Sequence, residues 1–436
     1  MCSKRYYPCG YVDFINQIMM LNQIITRNVP MRISIRDSLD ELSPEILKTL
    51  RVIFWENVYS TKGIQIMLKI HPDWEVNKRA LFSDTIYDLI RWWRLMWYIL
   101  DRDPSPEEKD LQKLITIYLI SKKGDRSLLQ KKRGLDANQV IQRFATAKNK
   151  RILRESIPDW LDKQGEQELG VRWDAIIASL NKYPDLIIRV NTLKTTVKEL
   201  KIILQKDGIT SESINWNPDA LRIMKKTNVF KLSSFRAGLF EVQDTASQMV
   251  SRILDPQAGM RVVDACAGEG SKTLHLAALM RNKGKIIALD TQEWRLRQLR
   301  KRAVKAGVDI IETRMITSSK VIKRMNETAD RLLLDVPCSG LGTLRRNPDI
   351  KWKLISEDLK RLTILQQGLL DKYCIITKPN GRIAYSICSI LPSEAEEQVE
   401  LFLKNHTDFR LLNEKRYWPD IDGTDGFYVA LIERKE

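Results

Sequence analysis

Apolar residues in the first third of the chain recur at intervals of three and four positions. This spacing is clearest in residues 46–55, 86–100 and 111–120, and it is typical of helices that bury one face. Few runs that would indicate strands occur before residue 147. We therefore predict an all-α domain over residues 1–147.

Short apolar runs alternate with amphipathic segments beyond residue 243. The runs predict strands at 261–265, 285–290, 309–313, 331–335, 382–386 and 427–432. The amphipathic segments predict helices at 271–282, 293–306, 317–326, 357–377 and 393–405. Such alternation is typical of a mostly parallel sheet with helices on both faces. We predict this α/β domain over residues 244–436, preceded by a linker and a small α/β region over residues 148–243, with a short strand at 186–191.

The charge of the chain indicates a polyanionic partner. Its 72 Lys and Arg residues outnumber the 55 Asp and Glu residues, so the formal net charge is +17. An excess of this size creates a positive potential that attracts nucleic acid, because phosphate contacts release condensed counterions. No compact basic amphipathic helix stands out as a membrane binder. We expect a nucleic-acid partner and no membrane partner, and the composition does not separate RNA from DNA.

The composition otherwise indicates a soluble globular protein of two or three domains, since 43% of the 436 residues are hydrophobic and 29% are charged. No apolar run reaches membrane-spanning length, and residues 1–22 lack the apolar core and cleavage site of a signal peptide. The six cysteines form no C-x-x-C pair, and there are three histidines. This pattern argues against a zinc site and against a secreted disulfide framework. We expect a cytoplasmic protein with reduced thiols and no bound metal.

A glycine-containing loop follows the first predicted strand of the α/β domain. The sequence ACAGEGSKT occupies residues 265–273, and glycines allow a loop to turn sharply and approach a ligand closely. The next strand ends in Asp290, whose carboxylate can accept hydrogen bonds from both hydroxyls of a ribose. The loop matches neither the dinucleotide nor the phosphate-loop fingerprint, so a tight turn without a ligand stays open. The predicted cofactor-binding residues are Cys266, Ala267, Gly268, Glu269, Gly270, Ser271, Lys272 and Asp290.

Two cysteines follow two further predicted strands. Cys338 lies in residues 335–340 (DVPCSG), and Cys388 lies in residues 385–389 (YSICS). Because parallel strands end at the same edge of a sheet, both thiols belong on the edge that carries the cofactor loop. A lone cysteine after a strand is usually a packing residue, but two at one edge favour nucleophilic chemistry. Methylation at C5 of a pyrimidine needs this set: a thiolate adds to C6, a carboxyl group hydrogen-bonds N3, and a base removes the C5 proton.

The motifs 264–273, 335–340 and 385–389 resemble those of the RsmB/Nol/Nop/Sun family of RNA cytosine-5 methyltransferases. The resemblance extends to residues 345–352 (RRNPDIKW), 189–192 (RVNT) and 238–244 (GLFEVQD), and it covers the chain from about residue 157. It is closest to the bacterial ribosomal RNA branch. It implies a Rossmann-like class I methyltransferase domain with a mostly parallel seven-stranded sheet, a NusB-like helical N-terminal domain, and S-adenosylmethionine as the methyl donor.

The resemblance also implies roles for individual residues. Cys388 would be the nucleophile that adds to C6, Cys338 would assist product release as the base for the C5 proton, and Asp335 would lie near the base and the methyl donor. DNA cytosine methyltransferases instead use the earlier Pro-Cys, which would make Cys338 the nucleophile. The family's adenine contact after the third strand has its nearest match in Glu312.

The resemblance further implies an RNA substrate, and ribosomal RNA is the substrate we expect. We predict RNA contacts by Arg189, Asn191, Lys194, Arg345 and Arg346, and we expect a monomer. A transfer RNA cytosine-5 methyltransferase is one alternative. A catalytically silent RNA-binding or ribosome-assembly factor with the same fold is another, although the two intact cysteines count against it.

Overall fold

The computed structural model describes residues 35–123, 135–224 and 227–436. The start of the predicted helical domain, with Cys2 and Cys9, lies outside these residues. The chain divides into two compact units. The described part of the helical unit comprises residues 35–123, 135–182 and 346–354. The described part of the α/β unit comprises residues 183–224, 227–345 and 355–436. The domain boundaries predicted at residues 147 and 243 stay predictions.

The described residues of the helical unit contain no strand. The helices up to residue 182 are α1 (Ile35–Phe54), α2 (Ser60–Ile70), α3 (Val76–Arg91), α4 (Trp93–Leu100), α5 (Glu108–Lys123), α6 (Ala137–Ala147), α7 (Arg151–Arg154), α8 (Asp159–Leu169) and α9 (Trp173–Leu180). The predicted segment 86–100 is divided between α3 and α4 at Trp92. Trp93 is buried with its ring stacked on Phe54 at a centroid distance of 3.6 Å. The prediction of an all-α N-terminal region is confirmed for the residues described.

A segment from late in the sequence, Arg346–Leu354, belongs to the helical unit. Its short helix Ile350–Lys353 carries Lys351, which is only 1% exposed. The Nζ of Lys351 donates to the carbonyl oxygen of Arg91 at 2.7 Å and lies 3.4 Å from the Glu155 carbonyl oxygen. Burial lowers the pKa of Lys351. The half-buried Trp352 adds a bond from its Nε1 to the Ile90 carbonyl oxygen at 2.7 Å, so this segment supplies donors to the backbone of the helical unit.

Replacing Lys351 by alanine is expected to lower the free energy of unfolding of the helical unit by about 2–4 kcal/mol, because a cavity forms and buried carbonyl oxygens lose their donor. Thermal unfolding followed by tryptophan fluorescence measures this change. Lys62→Ala, at an exposed position on α2, is the matched control. Equal midpoints for the two variants would show that Lys351 adds nothing to stability.

A small antiparallel sheet opens the α/β unit. It comprises β1 (Leu186–Val190), β2 (Ser211–Ile214), β3 (Asn217–Ile223) and β4 (Phe240–Val242), in the order β2-β3-β1-β4. The helices α10 (Val197–Lys206) and α11 (Ser233–Arg236) connect these strands. All five residues of β1 are buried, and four of them are apolar, which explains why this strand could be predicted from the sequence. The prediction of a small α/β region with a first strand near 186–191 is confirmed.

The second sheet has seven strands: β5 (Arg261–Asp264), β6 (Lys285–Asp290), β7 (Ile311–Met315), β8 (Ala329–Asp335), β9 (Thr377–Ile387), β10 (Phe409–Tyr417) and β11 (Phe427–Arg434). Their order is β10-β11-β9-β8-β5-β6-β7. The strands β7, β6, β5, β8 and β9 are parallel to one another, and β11 and β10 are added antiparallel. The predicted mostly parallel seven-stranded sheet is confirmed.

Six helices of the α/β unit accompany this sheet: α12 (Thr245–Leu254), α13 (Ser271–Leu279), α14 (Glu293–Ala306), α15 (Ser319–Lys323), α16 (Ser356–Tyr373) and α17 (Glu396–Asn405). The central strands are buried on both faces, as parallel strands covered by helices must be. Across the part of the chain that the structure describes, no helix combines the length and apolarity needed to cross a membrane.

Candidate active site

Four parallel strands end at one edge of the large sheet, and each end carries residues predicted to act there. Strand β5 ends at Asp264, β6 at Asp290, β8 at Asp335 and β9 at Ile387, one residue before Cys388. Asp335 is paired across the sheet with Ser386, so the loops that carry Cys338 and Cys388 leave the sheet side by side. The structure therefore brings together the glycine loop, Asp290, Asp335 and both cysteines.

The glycine loop needs glycine for geometric reasons at two positions. Gly268 has φ 56° and Gly270 has φ 88°, a region that side chains with a Cβ rarely adopt. A Cβ on Gly270 would lie 1.9 Å from the Cδ1 of Leu299, because the loop packs directly on α14. The turn closes by a bond from the Gly270 N–H to the Ala267 carbonyl oxygen at 2.9 Å.

Asp290 fastens this loop to the second strand of the site. Its Oδ2 accepts the Gly268 N–H at 3.0 Å, and its Oδ1 accepts the Gln292 N–H at 2.7 Å. The side chain is buried at the strand end. The Arg295 guanidinium lies 3.8 Å from Oδ2 and adds a positive charge. The carboxylate therefore stands at the edge of the sheet in a fixed orientation.

Two further carboxyl groups lie at this edge, and one of them is paired with a lysine of the loop. The Nζ of Lys272 forms an ion pair with the Oδ2 of Asp335 at 2.7 Å, and the Ser386 hydroxyl donates to the Oδ1 of Asp335 at 2.8 Å. Asp264, which was not among the predicted residues, accepts the Thr273 hydroxyl at 2.7 Å through Oδ2. Its Oδ1 is buried and has no hydrogen-bond partner among the described residues. Burial raises the pKa of Asp264 to about 7.

The two cysteine thiols are in contact. The Sγ atoms of Cys338 and Cys388 lie 3.3 Å apart, a distance at which one thiol can donate its hydrogen to the other sulfur. Cys338 is 2% exposed and Cys388 is 5% exposed. A thiol that donates to a neighbouring thiolate stabilises the charge on that thiolate, so the pair favours one nucleophilic sulfur beside one protonated sulfur.

Glu394 is a second residue of this site that the sequence did not reveal. Its carboxyl group is completely buried and binds the serines that directly follow both cysteines. The surrounding sequence, 394–400, is rich in glutamate, and nothing in it distinguishes a buried acid from its exposed neighbours. Only the contact between two loops separated by 50 positions identifies Glu394.

The structure does not bring Glu312 to this edge. It is paired with Ile287 in the middle of β6, whereas Met315 is the residue opposite Asp290. Its carboxylate pairs with Lys285 at 2.7 Å and with Arg314 at 2.5 Å, and these charges lower the pKa of Glu312 to about 2. The physical reason is that β7 spans 311–315 and not 309–313, so its end lies two residues later than predicted.

The residues predicted to contact RNA are engaged with the protein itself. Arg189 is buried and donates to the Ser271 carbonyl oxygen at 2.7 Å, and the Nδ2 of buried Asn191 donates to the Gly238 carbonyl oxygen at 2.9 Å. The exposed Lys194 donates to two backbone carbonyl oxygens. Arg345 and Arg346 are also buried, and Arg345 donates to the Gly423 carbonyl oxygen at 2.7 Å. Their placement favours a structural role, and RNA contact by these residues stays a prediction.

No group of three or more His, Cys, Asp or Glu side chains within residues 35–123, 135–224 and 227–436 is arranged to hold a metal ion.

Protein-family comparison matches residues 251–433 to a model described as 16S rRNA methyltransferase RsmB/F. Residues 157–230 match a model described as the ferredoxin-like domain of RsmF/B-like methyltransferases.

Individual proteins are similar over most of the chain. The probable ribosomal RNA small subunit methyltransferase B of Synechocystis sp. is 32% identical, with 88% of this chain and 97% of that protein covered. The ribosomal RNA small subunit methyltransferase B of Pasteurella multocida is 32% identical, with 69% and 72% covered. Among solved structures, a methyltransferase homolog protein from Pyrococcus horikoshii has 30% identity and a TM-score of 0.60, with 66% of this chain and 99% of that chain covered.

Proposed function

This chain belongs to the RsmB/F family of 16S rRNA methyltransferases, and on that premise we propose that it methylates C5 of a cytosine in small-subunit ribosomal RNA. The observation that carries the proposal is the 3.3 Å contact between Cys338 and Cys388 at the edge that holds the glycine loop. C5 and C6 of a pyrimidine are bonded neighbours, so a nucleophile for C6 and a base for the C5 proton must lie close together. Two adjacent thiols satisfy that requirement.

The methyl donor is S-adenosylmethionine, and the residues present fit it. The positive φ of Gly268 and Gly270 brings backbone close to a ligand, the Asp290 carboxylate stands at the second strand end, and the Oδ1 of Asp264 is buried without a partner. We assign the donor to residues 266–272 and to Asp290. When bound, it supplies an electrophilic methyl group to the activated C5.

The first chemical role belongs to Cys388. Its thiolate forms a bond to C6, and the electrons of the C5–C6 double bond move into the ring as N3 is protonated. We assign the protonation of N3 to Asp335, because the Lys272 ammonium that donates to its carboxylate is a source of the proton that Asp335 passes to the ring. C5 becomes nucleophilic by this addition, which a neutral cytosine ring does not allow by itself.

The second role belongs to Cys338. After Cys388 has bonded to C6, the Cys338 thiol gives up its hydrogen to solvent. Once C5 carries the methyl group, the Cys338 thiolate removes the C5 proton as a base. The electrons of that C–H bond restore the C5–C6 double bond, and the bond between C6 and the Cys388 sulfur breaks. N3 then returns its proton to the Asp335–Lys272 pair. The products are the methylated base, a Cys388 thiolate and a protonated Cys338, so the cycle balances with the one proton that Cys338 released to solvent.

The experiment that tests this function measures tritium release. Small-subunit ribosomal RNA transcribed with [5-³H]cytidine is incubated with the protein and S-adenosylmethionine. Methylation at C5 must release tritium to water, and bisulfite sequencing then locates the modified cytosine. Transfer RNA labelled in the same way tests the alternative substrate. Methyl transfer without tritium release would exclude C5, and no transfer to either RNA would favour a silent assembly factor.

Asp290→Ala is expected to weaken the binding of S-adenosylmethionine by about 10- to 100-fold, because hydrogen bonds to a charged group contribute about 1.5–3 kcal/mol. Isothermal titration calorimetry on the folded variant measures the affinity. Asp309→Ala, at an exposed carboxylate before β7, is the control that should bind as the unaltered protein does. Unchanged affinity in Asp290→Ala would remove this residue from the donor site.

A further inference from the structure

A single carboxyl group joins the two cysteine loops. Glu394 ends the short 3₁₀ turn Pro392–Glu394 and is 0% exposed. Its Oε1 accepts the Ser339 N–H at 2.8 Å and the Gln366 Nε2–H at 3.0 Å. Its Oε2 lies 2.5 Å from the hydroxyl oxygens of both Ser339 and Ser389. Each oxygen of the carboxyl group therefore has two partners.

The two serines that bind the Glu394 carboxyl group are the neighbours of the two cysteines in the sequence. Ser339 directly follows Cys338, and Ser389 directly follows Cys388. The two hydroxyl oxygens lie 3.2 Å apart, almost the same spacing as the two sulfur atoms. Because one peptide unit separates each serine from its cysteine, a group that fixes both serines also fixes the separation of the thiols.

Packing alone does not account for a buried carboxyl group at this point. Removing such a group from water costs several kcal/mol unless its oxygens are hydrogen-bonded, and apolar side chains would fill the same volume at lower cost. Burial raises the pKa of Glu394, which favours the neutral form. A neutral carboxyl group can donate to one serine and accept from the other donors. The hydrogen bonds that it makes to both cysteine loops therefore account for its burial at this point.

We propose that Glu394 is a positioning residue that sets the spacing of Cys338 and Cys388 by hydrogen-bonding the serine after each of them. This inference rests on the proposed function only for its effect on turnover. The spacing itself can be measured without RNA. Glu394 is not assigned any contact with the substrate or with the reacting sulfur atoms.

The test compares Glu394→Ala with Glu394→Gln. The amide oxygen of glutamine can accept from Ser339 and Gln366, and its NH₂ group can donate to the two serine hydroxyls, whereas alanine makes none of these bonds. We expect kcat to fall by about 100-fold in Glu394→Ala, because a displacement near 1 Å can cost that much, and by less than about 5-fold in Glu394→Gln. The affinities for S-adenosylmethionine and for RNA should change by less than about 3-fold in both.

A second measurement reports the spacing directly. Diamide, a diazene oxidant, takes two hydrogens from a thiol pair and becomes the hydrazine as a disulfide forms. Mass spectrometry follows the Cys338–Cys388 disulfide over time. We expect its rate to fall by about 10-fold in Glu394→Ala, and to stay near the original rate in Glu394→Gln and in the exposed control Glu400→Ala.

Two results would overturn the proposal: original kcat and disulfide rate in a folded Glu394→Ala, or equal losses in Glu394→Ala and Glu394→Gln. If Glu394→Ala does not fold, the Ser339→Ala/Ser389→Ala pair, which leaves the glutamate in place, must show the same two losses. If the unaltered protein releases no tritium but the disulfide rates differ as expected, the proposed function fails and the positioning role stands.

Discussion

Cys388→Ala is expected to abolish methylation, by about 10⁴-fold or more, and to leave no covalent enzyme–RNA complex. The reason is that C5 of cytosine cannot take a methyl group until a nucleophile has added to C6, and the loss of a catalytic nucleophile removes that step entirely. Tritium release from [5-³H]cytidine RNA measures the loss of turnover. Denaturing electrophoresis with labelled RNA measures the adduct.

Cys374→Ala is the matched control for Cys388→Ala. Cys374 is also buried, at 3% exposure, and its burial raises the pKa of its thiol to about 11, which keeps it protonated and unreactive. Its replacement should leave turnover within a few-fold of the original. An adduct that persists in Cys388→Ala would transfer the nucleophile to Cys338, as in DNA cytosine methyltransferases.

Cys338→Ala is expected to accumulate a covalent complex that survives denaturing electrophoresis. In this variant Cys388 still adds to C6 and the methyl group still reaches C5, but the C5 proton has no base to receive it. Elimination of the Cys388 sulfur requires loss of that proton, so the reaction stops after one methyl transfer per enzyme. Two measurements report this arrest: the number of methyl groups bound per protein molecule, and the tritium released under multiple-turnover conditions.

The contrast between the two variants tests the assignment more strongly than either alone. Full turnover by Cys338→Ala would show that another group or water takes the C5 proton. If neither cysteine is needed for turnover, both are packing residues and the covalent mechanism fails. The 3.3 Å contact between the sulfur atoms is symmetric, so only the order of chemical steps separates their roles.

The strand ends that form the edge of the sheet were predictable, because parallel strands buried on both faces have continuous apolar sequences. The runs before Asp264, Asp290 and Asp335 end where the apolar residues end. Strand β10 was missed for the converse reason. It is an antiparallel edge strand whose residues are mostly exposed, and four of its nine residues are charged. Charged residues protect an edge from pairing with other chains, but they interrupt the apolar pattern that would predict a strand.

The finer geometry of the site depends on contacts between distant parts of the chain. Spacing along the sequence placed both cysteines on one edge, but it could not give a sulfur separation across 50 positions or single out Glu394 among neighbouring glutamates. The motif residues Arg189 and Asn191 pose a similar difficulty. A family signature does not tell whether a polar side chain binds a ligand or, as here, backbone carbonyl oxygens of its own fold.

The location of residues 346–354 within the helical unit also imposes an order on biosynthesis. Lys351 and Trp352 donate to backbone carbonyl oxygens of a unit whose other residues end at Lys182, roughly 170 positions earlier. At a synthesis rate of about 5–20 residues per second, the ribosome needs about 10–35 s to make the intervening chain. For that time the carbonyl oxygens of Ile90 and Arg91 lack the donors that Trp352 and Lys351 later supply, so the final folding of these helices must follow translation of the Cys338 loop.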